Sequence, residues 1–200
     1  MQVLFLAAAF LLGSFPTGVV VATAKGVDLR KVGSGNIGTS NVGRALGLRW
    51  AALVLLADAG KGALPVWLAT RLFGSGWLPA GAGLVAVLGQ VFSVFLKGRG
   101  GKGVATSLGA GLALAPLPAL ACAAVWAGLF AAFRISSVGS LAAVASFPTF
   151  LWLFHAGSAC NLTFAAAVGA LVLVRHQDNI RRLMRGEELR ASRQPPASGG

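Results

Sequence analysis

The sequence predicts an all-α polytopic membrane protein of seven transmembrane helices, with the N-terminus outside and the C-terminus in the cytoplasm. Three observations carry that prediction. Hydrophobic residues make up 56% of the 200 positions and charged residues 11%, and a mean hydropathy of +0.78 lies far outside the range of a soluble domain. The apolar residues are gathered into runs near the roughly 20 residues that a helix needs to cross a bilayer, where every backbone amide must be satisfied within the segment. The basic residues fall between those runs.

Taken in order, the apolar runs extend from about Val3 to Ala24, Trp50 to Phe73, Trp77 to Leu96, Ser137 to His155 and Asn161 to Val174. The first has no basic residue ahead of it and no small-residue cleavage site, so it is expected to remain as a span rather than leave as a signal peptide. The stretch from Val104 to Phe133 is too long for one untilted crossing and is interrupted by Pro116 and Pro118, which break a helix by removing a donor and clashing with the preceding turn. Charge decides how it is threaded. Basic clusters at Lys25–Arg49, Lys97–Lys102 and Arg175–Arg193 are all placed in the cytoplasm by the positive-inside rule, and Arg134 joins them. The chain therefore leaves and returns between Lys102 and Arg134, as two short helices bent near Pro116. Residues 1–190 form one membrane domain on this reading, and residues 191–200, rich in Pro, Ser and Gly, a disordered tail. Cys122 and Cys160 lie inside apolar runs without metal-ligand spacing and are expected to be inert buried thiols.

A net charge of +12 raises nucleic acid as a partner, but the chain has no Tyr and its aromatics lie in the apolar runs, so membrane topology accounts for the charge. Three polar motifs fall on the cytoplasmic side. Gly33-Ser34-Gly35-Asn36-Ile37-Gly38-Thr39-Ser40-Asn41-Val42-Gly43-Arg44 has the composition of an anion cradle: Gly turns amides toward a ligand, Ser and Asn add short donors, and Arg grips phosphate oxygens with a planar fork. An ordinary polar loop has the same composition. Lys97-Gly98-Arg99-Gly100-Gly101-Lys102-Gly103-Val104-Ala105-Thr106 leads into a helix, whose exposed N-terminal amides favour an anion; the competing reading is a basic loop on anionic head groups. It is not a P-loop, because Lys102 is followed by Gly103 and residue 96 is Leu. The third motif runs from Arg175 to Glu187 and sets His176 and Asn179 on one face at i, i+3 spacing, beside arginines that also suit an interfacial helix. Asp58 and Lys61, at i, i+3 within a span, are expected to pair because intramembrane charge is costly; Lys61 and Ser137 are within reach of the same face.

The residue inventory excludes several chemistries. Five scattered carboxylates provide no metal cluster, so no metal and no cofactor are expected. The His-x4-Asp spacing of CoA-dependent glycerolipid acyltransferases is missing, since Arg181 and Cys160 stand five residues after His176 and His155. No GxSxG elbow and no Cys near a His on the polar face support a covalent acyl-enzyme. What remains is catalysis by positioning and charge neutralisation, in which cations hold phosphates and draw charge from a phosphate leaving group.

The three motifs, in this order, resemble those of the bacterial acyl-phosphate:glycerol-3-phosphate acyltransferases, an integral membrane, CoA-independent family. The similarity extends nearly through the chain to Glu187. The family pattern GSxNxGATNxxR is similar to Gly33–Arg44, with Thr39-Ser40 in place of Ala-Thr, and DxxKG to Asp58, Lys61 and Gly62. GHxFPxFLxFKGGKGVAT resembles Gly89–Thr106, with Gln90 for His, Ser93 for Pro, Gly98 for Phe and Arg99 for Lys. HRxNIxRLxxGxE resembles His176–Glu188, with Gln177 for Arg. The resemblance implies seven spans and transfer of an acyl group from acyl phosphate to the sn-1 hydroxyl of glycerol 3-phosphate, giving lysophosphatidic acid and phosphate. The catalytic set it implies is Ser34, Arg44, Lys102, His176 and Asn179. The binding set is Gly33, Asn36, Ser40, Asn41, Lys61, Lys97, Arg99, Gly100, Gly101, Gly103, Thr106 and Ser137. The expected partners are acyl phosphate, glycerol 3-phosphate and membrane lipids around a monomer in the bacterial inner membrane, its active face cytoplasmic. The alternative is a membrane transporter of a phosphorylated solute, which predicts cations near the bilayer midplane.

Overall fold

The computed structural model describes residues 1–191, so the tail expected at residues 191–200 lies, apart from Ala191, outside the described residues. Ten α-helices and one short 3-10 turn, Val94–Leu96, account for the regular structure: α1 Gln2–Ser14, α2 Thr17–Thr23, α3 Thr39–Leu46, α4 Leu48–Phe73, α5 Trp77–Val91, α6 Val104–Leu114, α7 Pro116–Phe133, α8 Ser136–Leu153, α9 Ala159–Arg175 and α10 Gln177–Met184. The all-α class follows the sequence. Five stretches are long and apolar enough to cross a membrane: Gln2–Thr23, which joins α1 and α2, then α4, Trp77–Leu96, α7 and α8. Helices α9 and α10 meet that measure only together, across a bend of 59°.

Local chemistry explains the breaks. Pro16 interrupts the first apolar run, because it cannot donate the amide that a continuous helix needs. Pro116 opens α7 at its first turn, where the missing N–H costs nothing, and α6 ends just before it. The expected break near Pro116 is present, but of the two helices expected to be short only α6 is: α7 has 18 residues. With 11 residues, α6 is about 16 Å long, roughly half a bilayer's hydrocarbon thickness. The first polar motif differs from the loop its composition suggests. Its second half is the amphipathic helix α3, which buries Val42 against Ala22, Leu29, Ile37 and Val54.

Two helix pairs approach until backbone meets backbone. A Cβ on Gly13 of α1 would lie 2.0 Å from the Ala86 carbonyl oxygen, and one on Gly89 of α5 would lie 2.2 Å from that of Phe10. Between α4 and α6 the same reciprocity holds, with Gly62 against the Thr106 carbonyl at 2.0 Å and Gly109 against that of Ala59 at 1.8 Å. Without a hydrophobic drive between helices in lipid, such close packing of small residues is what joins them. The α4–α6 contact sets the start of α6, and with it Lys102, against the middle of α4.

Candidate active site

Each polar motif delivers side chains to one cavity of about 220 Å³. In the first, Asn41 is the organiser. Its Nδ2 donates to the carbonyls of Leu29 at 3.1 Å and Val32 at 3.0 Å, while its Oδ1 accepts the Ser34 amide at 3.0 Å and Arg44 Nη2 at 3.4 Å. Gly33 takes φ 55° directly beside it, and a Cβ there would meet Asn41 Oδ1 at 2.3 Å. Arg44 Nη2 also donates to Ser34 Oγ at 3.1 Å. With its amide fully engaged, Asn41 shapes the loop, and Ser34 and Arg44 present it to the cavity.

The glycine turn of the second motif is anchored to α5. The amides of Gly100 and Gly101 donate to the carbonyls of Val91 and Gln90 at 3.0 and 2.9 Å, and a Cβ on Gly100 would fall 2.1 Å from the Gln90 carbonyl oxygen. Those two amides serve the fold and are not available to an anion. The cavity-facing groups of this segment are Lys102 and the first turn of α6, where Gly103, Val104, Ala105 and Thr106 line the cavity and the first amides lack intrahelical acceptors. Lys97 and Arg99 are exposed and outside the cavity lining.

Lys61 is also outside it. Its ammonium sits 2.6 Å from Asp58 Oδ1 and donates to the Phe15 carbonyl and to Gln90 Oε1 at 2.5 and 3.0 Å, which occupies all three of its protons. The expected Asp58–Lys61 pair is present, and Gln90 bridges it by donating from Nε2 to Asp58 Oδ2 at 3.4 Å.

At the third motif, His176 is 2% exposed, and its Nδ1 lies 2.8 Å from the Val172 carbonyl oxygen. A carbonyl only accepts, so Nδ1 carries the proton and Nε2 keeps its lone pair. No carboxylate orients this imidazole. Asn179 accepts from Lys102 Nζ through Oδ1 and donates to Glu188 Oε1 from Nδ2 at 2.5 Å.

Glu188, the last position of the His176–Glu188 motif, lines the cavity although it is absent from the residue set expected from the sequence, because a glutamate past the end of an arginine-rich helix looks like a solvated surface charge. Its carboxylate accepts from Asn179, from Ser137 Oγ at 2.8 Å and from Arg182 Nε at 2.6 Å. Burial pushes it up, but those three hydrogen bonds outweigh burial and hold it below the usual carboxylate range. Ser136 is a second addition, its hydroxyl 2.8 Å from that of Ser40.

Ser34, Asn36, Ser40, Asn41, Arg44, Lys102, Gly103, Thr106, Ser137, His176 and Asn179 thus converge on one cavity. Gly33, Lys61, Lys97, Arg99, Gly100 and Gly101 stand behind or beside it. Arg44 Nε, Thr39 Oγ1 and Thr106 Oγ1, all on residues lining the cavity, are buried without a hydrogen-bond partner in the protein, which leaves them able to bond a molecule in the cavity. Burial pushes the Lys102 ammonium down to about 8; Glu188 opposes that, and Arg182, Arg44 and Arg175 add to it.

Beyond the polar end the cavity continues between α6, α7, α8 and α9, where Leu108, Gly111, Ala119, Cys122, Trp126, Phe147 and Phe164 line it. Of the two thiols expected to be buried, Cys122 is buried in this apolar wall. Cys160 is only partly buried, its Sγ 3.2 Å from Ser158 Oγ. No cluster of potential metal ligands occurs among the described residues.

Known proteins are similar to this chain along almost its whole length. The family profile for glycerol-3-phosphate acyltransferase matches residues 3–186. The glycerol-3-phosphate acyltransferase of Aquifex aeolicus is 47% identical over 193 residues, covering 95% of this chain and 100% of that one. That of Rubrobacter xylanophilus is 44% identical, covering 94% of each. The crystal structure of PlsY (YgiH), an integral membrane glycerol 3-phosphate acyltransferase, superimposes with TM-score 0.91 in its glycerol 3-phosphate form, at 42% identity and 96% coverage of both chains. Its lysophosphatidic acid form gives TM-score 0.89 at 41% identity, covering 96% of this chain and 95% of that one. With the family profile matched along almost its entire length and its helices superimposing on a solved member, the chain belongs to the glycerol-3-phosphate acyltransferase family.

Proposed function

We propose that this chain transfers a fatty acyl group from an acyl phosphate to the sn-1 hydroxyl of glycerol 3-phosphate, releasing lysophosphatidic acid and inorganic phosphate without coenzyme A or any other cofactor. The observation that carries this reading is the continuity of one cavity from a cationic polar end, with Arg44 and Lys102, into an apolar chamber between helices. A molecule with a phosphate head and an alkyl tail matches both halves.

In this reading the hydroxyl oxygen of glycerol 3-phosphate attacks the acyl carbonyl carbon, the bond from that carbon to the phosphate oxygen breaks, and the hydroxyl proton passes to a phosphate oxygen of the substrates. Arg44 and Lys102 neutralise the two phosphates, so the leaving group departs without an accumulation of negative charge. The first turn of α6 adds amide dipoles of the same sign. A protein carboxylate base is not required, and the disposition of Glu188 agrees: its oxygens are committed to three donors.

The distribution of basic residues supports seven crossings, with α6 as the short one, and an active face toward the cytoplasm of a bacterial inner membrane. Transport of a phosphorylated solute is the weaker reading, since Lys61, the cation nearest the middle of α4, is paired with Asp58.

The test supplies purified enzyme in lipid vesicles with glycerol 3-phosphate and either palmitoyl phosphate or palmitoyl-CoA. Equimolar lysophosphatidic acid and phosphate from palmitoyl phosphate alone are expected. Turnover of palmitoyl-CoA, or flux of glycerol 3-phosphate without product, would sink the proposal.

The pH profile of the same assay adds a second prediction. Lys102 is charged below about 8, so its stabilisation of phosphate is present at neutral pH and is lost as pH rises through that value. The kcat/KM for acyl phosphate should fall with an apparent pKa of about 8, and Lys102→Arg, which stays protonated, should abolish that limb. An unchanged alkaline limb in the arginine variant would assign the titration elsewhere.

A further inference from the structure

Phe147 and Phe164 line the apolar half of the cavity, meet edge to face with ring centroids 6.4 Å apart, and are only 8% and 2% exposed. The space behind Phe164 is filled: a Cβ built on Gly83 would lie 2.9 Å from Val66, 3.0 Å from Ala110 and 3.3 Å from the Phe164 ring. An alkyl chain arriving from the polar end therefore meets a wall that the close-packed bundle core cannot easily yield.

Two helices give that wall the same depth. On α8, Phe147 lies eleven positions beyond Ser136 at the polar rim, or about 16 Å along the axis. On α9, which runs the other way, Phe164 precedes His176 by twelve positions, or about 18 Å. Both values are slightly more than half of the roughly 30 Å hydrocarbon core.

Resting on the acyl-transfer reading above, we propose that the Phe147–Phe164 pair is the floor of an acyl chamber and sets the longest chain the enzyme accepts efficiently. Gly111 governs the width just above the floor, because a Cβ there would touch both Phe147 Cζ and the Ala119 methyl at 3.4 Å. At ordinary van der Waals contact this methyl fits the fold while removing room from the chamber.

The experiment measures kcat/KM of reconstituted enzyme for lauroyl, palmitoyl and stearoyl phosphate. Phe147→Ala deepens the chamber and should raise the stearoyl-to-palmitoyl ratio by roughly tenfold, the discrimination typical of a methylene against an apolar wall. Gly111→Ala should move the ratio toward lauroyl. Phe147→Leu provides the milder enlargement if the alanine variant does not fold. Profiles that superimpose on the wild type in Gly111→Ala and the folded Phe147 variants would overturn the proposal. Thermal protection by lysophosphatidic acids with the same three chains is measured in parallel and should shift the same way. Graded protection that shifts in the variants, with no turnover of any acyl phosphate, would sink the donor assignment while the floor stands; absence of a shift there sinks the floor.

Discussion

Lys102→Ala is expected to lower kcat/KM by about 2–4 kcal/mol, roughly 30- to 1,000-fold, the range found when one donor is removed from a site that stabilises developing negative charge. Arg44→Ala should cost a similar amount. The two cations reach the cavity from different elements, Lys102 from the turn before α6 and Arg44 from α3, so neither replaces the other's geometry. Lys102 is held by Asn179, and its turn is fastened to α5 through backbone hydrogen bonds that alanine at 102 leaves in place. The loss should therefore appear in turnover, with the thermal midpoint nearly unchanged. Wild-type turnover in both variants would refute the site.

Glu188→Ala should produce the largest combined loss of activity and stability. Removing this carboxylate leaves the Asn179 amide, the Ser137 hydroxyl and the Arg182 guanidinium without their common acceptor, at about 1–3 kcal/mol each for the buried Asn179 and Ser137 and less for the partly exposed Arg182. It also removes the negative charge opposing mutual repulsion among Lys102, Arg44 and Arg182. Glu188→Gln, which keeps an acceptor oxygen but no charge, should fall between alanine and wild type. The pH signature has a definite sign. Because the folded-state pKa of Glu188 is depressed, its stabilisation is fully present above the unfolded carboxylate value and is lost as pH falls through the folded one. Thermal unfolding between neutral and acid pH should show that acid-labile increment in the wild type and not in Glu188→Gln. Equal acid sensitivity of the two proteins would mean that the three hydrogen bonds contribute little.

The same residue shows why part of the site was hidden in the sequence. Glu188 stands two positions beyond a turn at Gly186, where φ is 72°, and that turn folds the chain back until the Ala191 amide reaches the Arg134 carbonyl at 2.7 Å. Periodicity within α10 carries no information about that return. Lys61 illustrates the converse. A lysine inside a span is equally compatible with gripping a ligand or satisfying a neighbour, and its three acceptors come from residues 15, 58 and 90. Gly100 and Gly101 have the composition of an anion loop, yet their amides go to carbonyls at the end of α5.

By itself the sequence determined the quantities that depend on neighbouring residues: the all-α membrane class from apolar runs and hydropathy, the break at Pro116 from an amide proline cannot donate, and the polar motifs from their glycine, serine and arginine content. Tertiary structure decided which of those groups face the cavity, that Asn41 shapes the loop while Arg44 donates to Ser34 at the cavity, and which aromatic rings line its apolar half. Those outcomes depend on contacts between residues far apart in the chain, Lys102 with Asn179 and Phe147 with Phe164. They arise only when glycine contacts between helices and a turn beyond α10 bring distant segments within hydrogen-bonding and van der Waals distance, a range that local sequence cannot encode.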